Sequence, residues 1–249
     1  MEHQRMSAAG NAALQENRVG AVVDLRAYAS GTPPSADWVQ GRASAAFSDA
    51  AASVAALAPV GDGHVDVLAA DEFVLVIAGR LEIAAPAGRL VLAKSKSGVI
   101  PAGTSFDWRA AEGTLVIIAS VPAAIAGESD KPVAIEEGAT LTPSSAPLAE
   151  LLIGPMPQCR NHSDYRSATG EFVCGTWDST PYHRRQTPYA HIELMHLLEG
   201  QVSFYDDKGQ VTFNAGDALL FVRGQGCAWH SEVHVKKVYA THRPVRPIE

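Results

Sequence analysis

A chain of 249 residues that is 47% hydrophobic and 19% charged is long enough to bury most of its apolar surface without crosslinks, and too apolar to be disordered. Its net charge of -7 comes from 20 basic against 27 acidic residues; with no basic run, this excludes the electrostatic footprint of a nucleic-acid or anionic-lipid binder. Cys159, Cys174 and Cys227 follow no paired spacing, which excludes a disulfide scaffold and predicts a cytoplasmic protein.

Taken in chain order, residues 1–20 lack the apolar core of a signal peptide and are expected to form a flexible start. "DAAASVAAL", from Asp49, predicts a short helix. The segment "EFVLVIAGRLEIAAPAGRLVL", from Glu72, begins with a continuous apolar run, the pattern of a strand buried on both faces. "RLEIAA" then alternates, placing Leu81 and Ile83 inward. "APAG" supplies a hairpin turn ending in a glycine suited to positive φ, and "RLVL" carries on as the next strand. The most apolar run, "TLVIIASVPAAIAG", is shorter than the roughly 20 residues a membrane span needs and is broken by Pro122. Residues 123–157, rich in Pro, Ser, Ala and acidic side chains, read as a connection, with "SAPLAELL" as a second short helix.

The pattern then repeats. "ELMHLLEGQVSFYDDKGQVTF" runs from Glu193, and 193 minus 72 is 121; the same offset relates Gly79 to Gly200, Gly88 to Gly209, Gly103 to Gly224 and Trp108 to Trp229. A Glu, three turn glycines and a Trp at one offset define two copies of one β module, residues 21–122 and 158–249.

Glu193 followed after six residues by Gly200 resembles the end of the first cupin motif, and Glu72 with Gly79 repeats it. "GDALLFVRGQGCAW" resembles the second motif, with Val222 where a proline is usual; the earlier copy keeps Pro101 and Gly103 in "IPAGTSFDW". Together with the trailing Trp108 and Trp229 and the "VKK" near residue 236, these residues resemble the cupin branch of ureidoglycine aminohydrolase and the ethanolamine-utilisation cupins. The resemblance implies an all-β bicupin, two tandem double-stranded β-helix (jelly-roll) barrels, each with a pocket. By analogy with cupins it also implies a homodimer.

In cupins that bind a metal, an H-x-H pair precedes the Glu and a third His follows the second motif's glycine. Here Phe106 stands at the late position of the first copy and no H-x-H precedes Glu72; in the second copy Cys227 replaces the late His, and the early slots fall on Pro181 and His183. The expectation is therefore no metal and no cofactor, with a divalent ion held by Cys227, His183 and Glu193 in the second barrel as the lesser alternative. On a strand His191 and Glu193 share a face and His196 takes the other, so the three cannot chelate one ion. A zincin motif requires a helix, and the zinc-deaminase signature requires a later P-C-x-x-C that is missing. Candidate pocket residues are Glu193, His191, His183, Cys227, Trp229, Glu72 and Trp108, with Arg184 and Arg185 at a rim that gathers anions. Glu193 aimed into an enclosed space is expected to have a raised pKa unless His183, His191, a ligand or a metal satisfies it. The functional expectation is a binder of a small nitrogenous or acidic metabolite. A metal-assisted aminohydrolase, or one using Glu193 as general base, and a structural protein with vestigial pockets are the alternatives.

Overall fold

The 121-residue repeat persists in three dimensions. A computed structural model describes residues 18–19, 21–207 and 209–245, and its two modules carry the same pair of sheets. In the first, Ser97–Ile100, Ala70–Ala78, Leu115–Pro122 and Ser53–Pro59 lie side by side, facing a smaller sheet ordered Gly61–Val65, Phe106–Ala110, Arg80–Ala85, Gly88–Ala93. In the second, Ala218–Phe221, Ile192–Glu199, Val235–His242 and Phe172–Ser179 face Tyr182–Pro188, Gly226–Ser231, Gln201–Asp206 and Gly209–Asn214 in the matching order. The register repeats as well: Glu72 lies opposite Ile100 and Ser120, and Glu193 opposite Phe221 and Thr241. Both modules are jelly rolls, and the all-β expectation holds.

Period-two alternation decides what each long strand faces. Along Ile192–Glu199, Met195 and Leu197 point into the second module's own core, whereas Ile192 and Leu194 join a different cluster. That cluster also holds Phe73, Leu75, Ile77, Ile117 and Ala119 of the first module, so the two large sheets pack face to face. A buried polar lock reinforces the contact: Tyr165 Oη donates to Asp71 Oδ1 at 2.6 Å, and the Ala102 amide donates to the same oxygen at 2.9 Å.

The segment expected to open the first module crosses to the second. Val22–Asp24 pairs with Ala218–Phe221, and Arg18–Val19 pairs in turn with Val22–Val23, so the start expected to be flexible over residues 1–20 contributes a strand at 18–19; residues 1–17 and 20 lie outside the described residues. Asp24 then caps the short helix Leu25–Ala29 by accepting from the Arg26 and Ala27 amides at 2.9 and 3.0 Å. The connection 123–157 also contributes strands: Val133–Ala134 extends the first module's large sheet, and Thr142–Ser144 lies beyond Cys159–Arg166 at the edge of the second's.

Two helix expectations are overturned. "DAAASVAAL" becomes part of the strand Ser53–Pro59, because its small side chains are needed on both faces: Val54 and Ala56 pack at the intermodule contact, and Leu57 faces the first module's core. Tertiary packing overrides the helix propensity of alanine. "SAPLAELL" yields only a single 3-10 turn, Ala149–Leu151. Both hairpins form, with Gly88 and Gly209 each opening the second strand; Gly209 has the expected positive φ, at 141°, whereas Gly88 does not. At Gly200 the requirement is sharper, since φ is 82° and a Cβ would come within 2.1 Å of the His234 carbonyl oxygen. Among the described residues no helix is long and apolar enough to cross a membrane.

His196 occupies the intermodule face, as alternation requires, and is 2% exposed with neither ring nitrogen partnered among the described residues. Burial, assisted by the charges of Arg26 and Lys96 and opposed by Asp217, depresses its pKa to about 4. The folded protein therefore refuses a proton that the unfolded chain accepts near pH 6.5, so His196 costs stability as pH falls from about 6.5 toward 4, by up to about 3 kcal/mol. Urea unfolding at pH 7 and pH 4.5 should show a smaller acid loss in His196→Leu than in the parent, with the variant at least as stable at pH 7.

Candidate functional site in the second module

The two repeated glutamates meet different fates. Glu72 is 3% exposed and enclosed by the chain's own residues: Arg42 Nη2 donates at 2.5 Å and Ser120 Oγ at 3.0 Å to one oxygen, and Trp38 Nε1 donates at 2.9 Å to the other. The Trp38 indole, 2% exposed, fills the space between the sheets, edge-on to Phe106 at 5.5 Å and tilted against Trp108 at 6.0 Å. Glu72 and Trp108, expected to line a pocket, therefore belong to a filled core. The segment carrying Trp38 and Arg42 precedes the module's first long strand, and no local pattern announces that it folds inward.

Glu193 faces a cavity of about 480 Å³. Lys237, 5% exposed, donates from Nζ to Glu193 Oε1 at 2.8 Å and contacts Met195 Sδ at 3.2 Å. Its ammonium lies 4.7 Å from the Trp177 ring centroid and 5.3 Å from that of Trp229, so two indoles flank the charge. On the other side of the carboxylate, His191 Nε2 is 3.5 Å from Oε2, and Arg243 Nη2 is 3.2 Å from His191 Nδ1. An arginine can only donate, so Nδ1 accepts, and the His191 proton sits on Nε2, facing Glu193. Burial pushes the Glu193 carboxyl up, but the Lys237 ammonium, with His191 behind it, more than offsets this and holds the group at about 2. The expected rise in pKa is thereby reversed, and the partner that reverses it lies 44 residues downstream.

Alternation along Tyr182–Pro188 sorts the remaining candidates. Tyr182 and Arg184 point into the cavity; His183 points outward, opposite His230. Arg184 donates to Tyr189 Oη at 2.7 Å and stacks over that ring at 5.0 Å, while its Nε has no partner among the described residues. Arg185 is exposed. Trp229 lines the cavity and stacks on Tyr182 at 5.4 Å. Cys227 is 1% exposed in the wall, and burial pushes its thiol up to about 12. Of the seven sequence candidates, Glu193, His191 and Trp229 converge on the cavity. Lys237, Arg243, Tyr189 and Trp177 complete it and were missed, although the alternation of "VKK" carried a signal, since Val235 and Lys237 share the inward face.

The donor set does not fit the divalent metal that metal-binding cupins hold. The motif carboxylate, Glu193, is bonded to an ammonium, Cys227 is held as a thiol, and His183 lies outside. Among the described residues no three His, Cys, Asp or Glu side chains stand together as a metal-holding group.

Fold and cavity define a cupin. A EutQ-like cupin domain model matches residues 166–239, the portion that carries Arg184, Glu193 and Lys237. A protein of unknown function from Pseudomonas syringae pv. tomato, assigned to the DUF861 family, superposes with a TM-score of 0.74 at 30% identity, over 79% of this chain and 85% of its own. The chain belongs to that family. A cupin 2 conserved barrel domain protein from Leptotrichia buccalis shares the fold, with a TM-score of 0.51 at 10% identity over 80% of this chain and 88% of its own. Among curated proteins none matches the chain.

Because the buried pair is held by mutual compensation, removing one partner should cost far more than removing both. Lys237→Met leaves Glu193 uncompensated and should lower stability at pH 7 by about 3–5 kcal/mol in denaturant unfolding; Lys237→Met combined with Glu193→Gln should recover most of that loss.

Proposed function

We propose that the chain is a bicupin whose second module binds a small anionic metabolite and whose first module serves as scaffold. The observation that carries this reading is the lining of the cavity: four cations, Arg166, Arg184, Arg243 and Lys237, against two carboxylates, Glu171 and Glu193. Lys237 already neutralises Glu193, so the remaining excess is positive. Arg184 is poised for a carboxylate, with its planar guanidinium fixed over Tyr189 and its Nε unbonded. Trp177, Trp229, Tyr182 and Tyr239 supply flat apolar walls for the carbon skeleton, and a volume of about 480 Å³ suits a metabolite rather than a peptide or polymer.

Binding is favoured over hydrolysis on the same grounds. A carboxyl group held at about 2 is a poor proton acceptor at neutral pH, which argues against Glu193 as a general base. The metal-assisted aminohydrolase reading, drawn from resemblance to ureidoglycine aminohydrolase, needs Glu193 as a metal ligand, and that carboxylate is already bonded to the Lys237 ammonium. A nitrogenous ligand remains compatible provided that it also carries an acid group.

A thermal-shift panel of monocarboxylates, dicarboxylates, keto acids, sugar acids, ureides and amines tests the proposal, since a ligand of the folded state raises Tm. Carboxylates should raise Tm, and Arg184→Ala should weaken that response at least tenfold in ligand concentration. A response confined to neutral or cationic compounds, or none to any class, would contradict it.

A further inference from the structure

We propose that the outer face of the second module's small sheet carries a surface site for a divalent transition metal of the imidazole-preferring kind, Zn2+, Cu2+ or Ni2+, built on His183 and His230. The two residues are direct cross-strand partners, and their ring centroids lie 4.8 Å apart. With a metal–nitrogen distance of about 2.1 Å, two imidazoles sharing one tetrahedral ion hold their centroids about 5 Å apart, so the rings already stand at chelating separation. The backbone pairing sets that spacing.

Three further features support the pair. Tyr205 Oη lies 3.1 Å from His230 Nδ1, which orients the ring and leaves Nε2 for a ligand bond, as outer partners of metal-bound histidines do. Among the described residues the ring nitrogens of His183 make no hydrogen bond, and its ring lies beside that of His230. The Glu232 carboxylate, 85% exposed and 4.0 Å from His230 Nε2, is free to swing in as an oxygen ligand, with water completing the shell. The site lies on the opposite side of the sheet from the cavity, because His183 and Arg184 alternate, and it is independent of what the cavity binds.

Titration calorimetry with Zn2+ alone on the tag-free full chain at pH 7.5 tests the assignment. One ion should bind with a Kd in the micromolar range, and His183→Ala and His230→Ala should each weaken it at least tenfold, with a smaller loss in Tyr205→Phe. In the Cu2+-loaded protein, electron paramagnetic resonance should show coupling to two nitrogens, falling to one in each single variant. Both histidines are partly exposed, so circular dichroism should confirm folded variants. Absence of one-site binding would overturn the proposal. So would binding that survives both histidine substitutions, with loss on Glu193→Gln then locating the ion in the cavity instead.

Discussion

The ion pair between Glu193 and Lys237 is the constraint around which the second module is arranged. A carboxylate and an ammonium taken out of water together are tolerable only if each compensates the other closely and their remaining bonding capacity is met. The second module meets that condition with a 2.8 Å bond, two flanking indoles and the His191 to Arg243 relay. Once Lys237 stands beside the motif glutamate, the cavity has a fixed internal cation and its remaining arginines present an excess of positive charge. The first module begins from the same carboxylate at the same register and ends differently. Arg42, Ser120 and Trp38 bond both oxygens of Glu72, and the Trp38 ring fills the space as well. The two copies therefore differ, one with a packed core and one with an open cavity.

The face-to-face packing of the large sheets fixes this arrangement. Ile192–Glu199 and Ala70–Ala78 are buried on both sides, so a one-residue slip would drive a glutamate into the apolar intermodule contact and Leu194 or Phe73 into a module interior. The swap of Val22–Asp24 onto the second module's sheet, and the Tyr165 to Asp71 bond across the contact, tie the filled module to the open one. His196, on the same face as the Tyr165 to Asp71 bond, has no ring partner among the described residues, and burial depresses its pKa, so stability falls further in acid.

The backbone plan was legible in the sequence because it depends on local rules. Two-residue alternation places Leu81 and Ile83 inward, and turn glycines at a common offset disclose the duplication. Glu193 and His191 on one face, with His196 on the other, followed from the same rule. What was not legible depends on contacts distant in sequence. Trp38 reaches Glu72 across 34 residues and Lys237 reaches Glu193 across 44, and neither separation leaves a local pattern. The alanine-rich run at residue 49 reads as helix until the second sheet that demands small side chains is present. His183 was drawn toward the cavity by the cupin H-x-H spacing, whereas the phase of its own strand turns Tyr182 and Arg184 inward instead.

A carbon-13 NMR titration of the Glu193 carboxyl group tests the central claim most directly, because it reads the charge state of the residue on which the cavity's electrostatics rest. With Lys237 as its permanent counter-ion, the resonance should stay at its ionised position from pH 7 down to about 3. A midpoint above 4.5 would mean that the ammonium does not hold the carboxylate, and the account of the cavity as cationic by construction would fail.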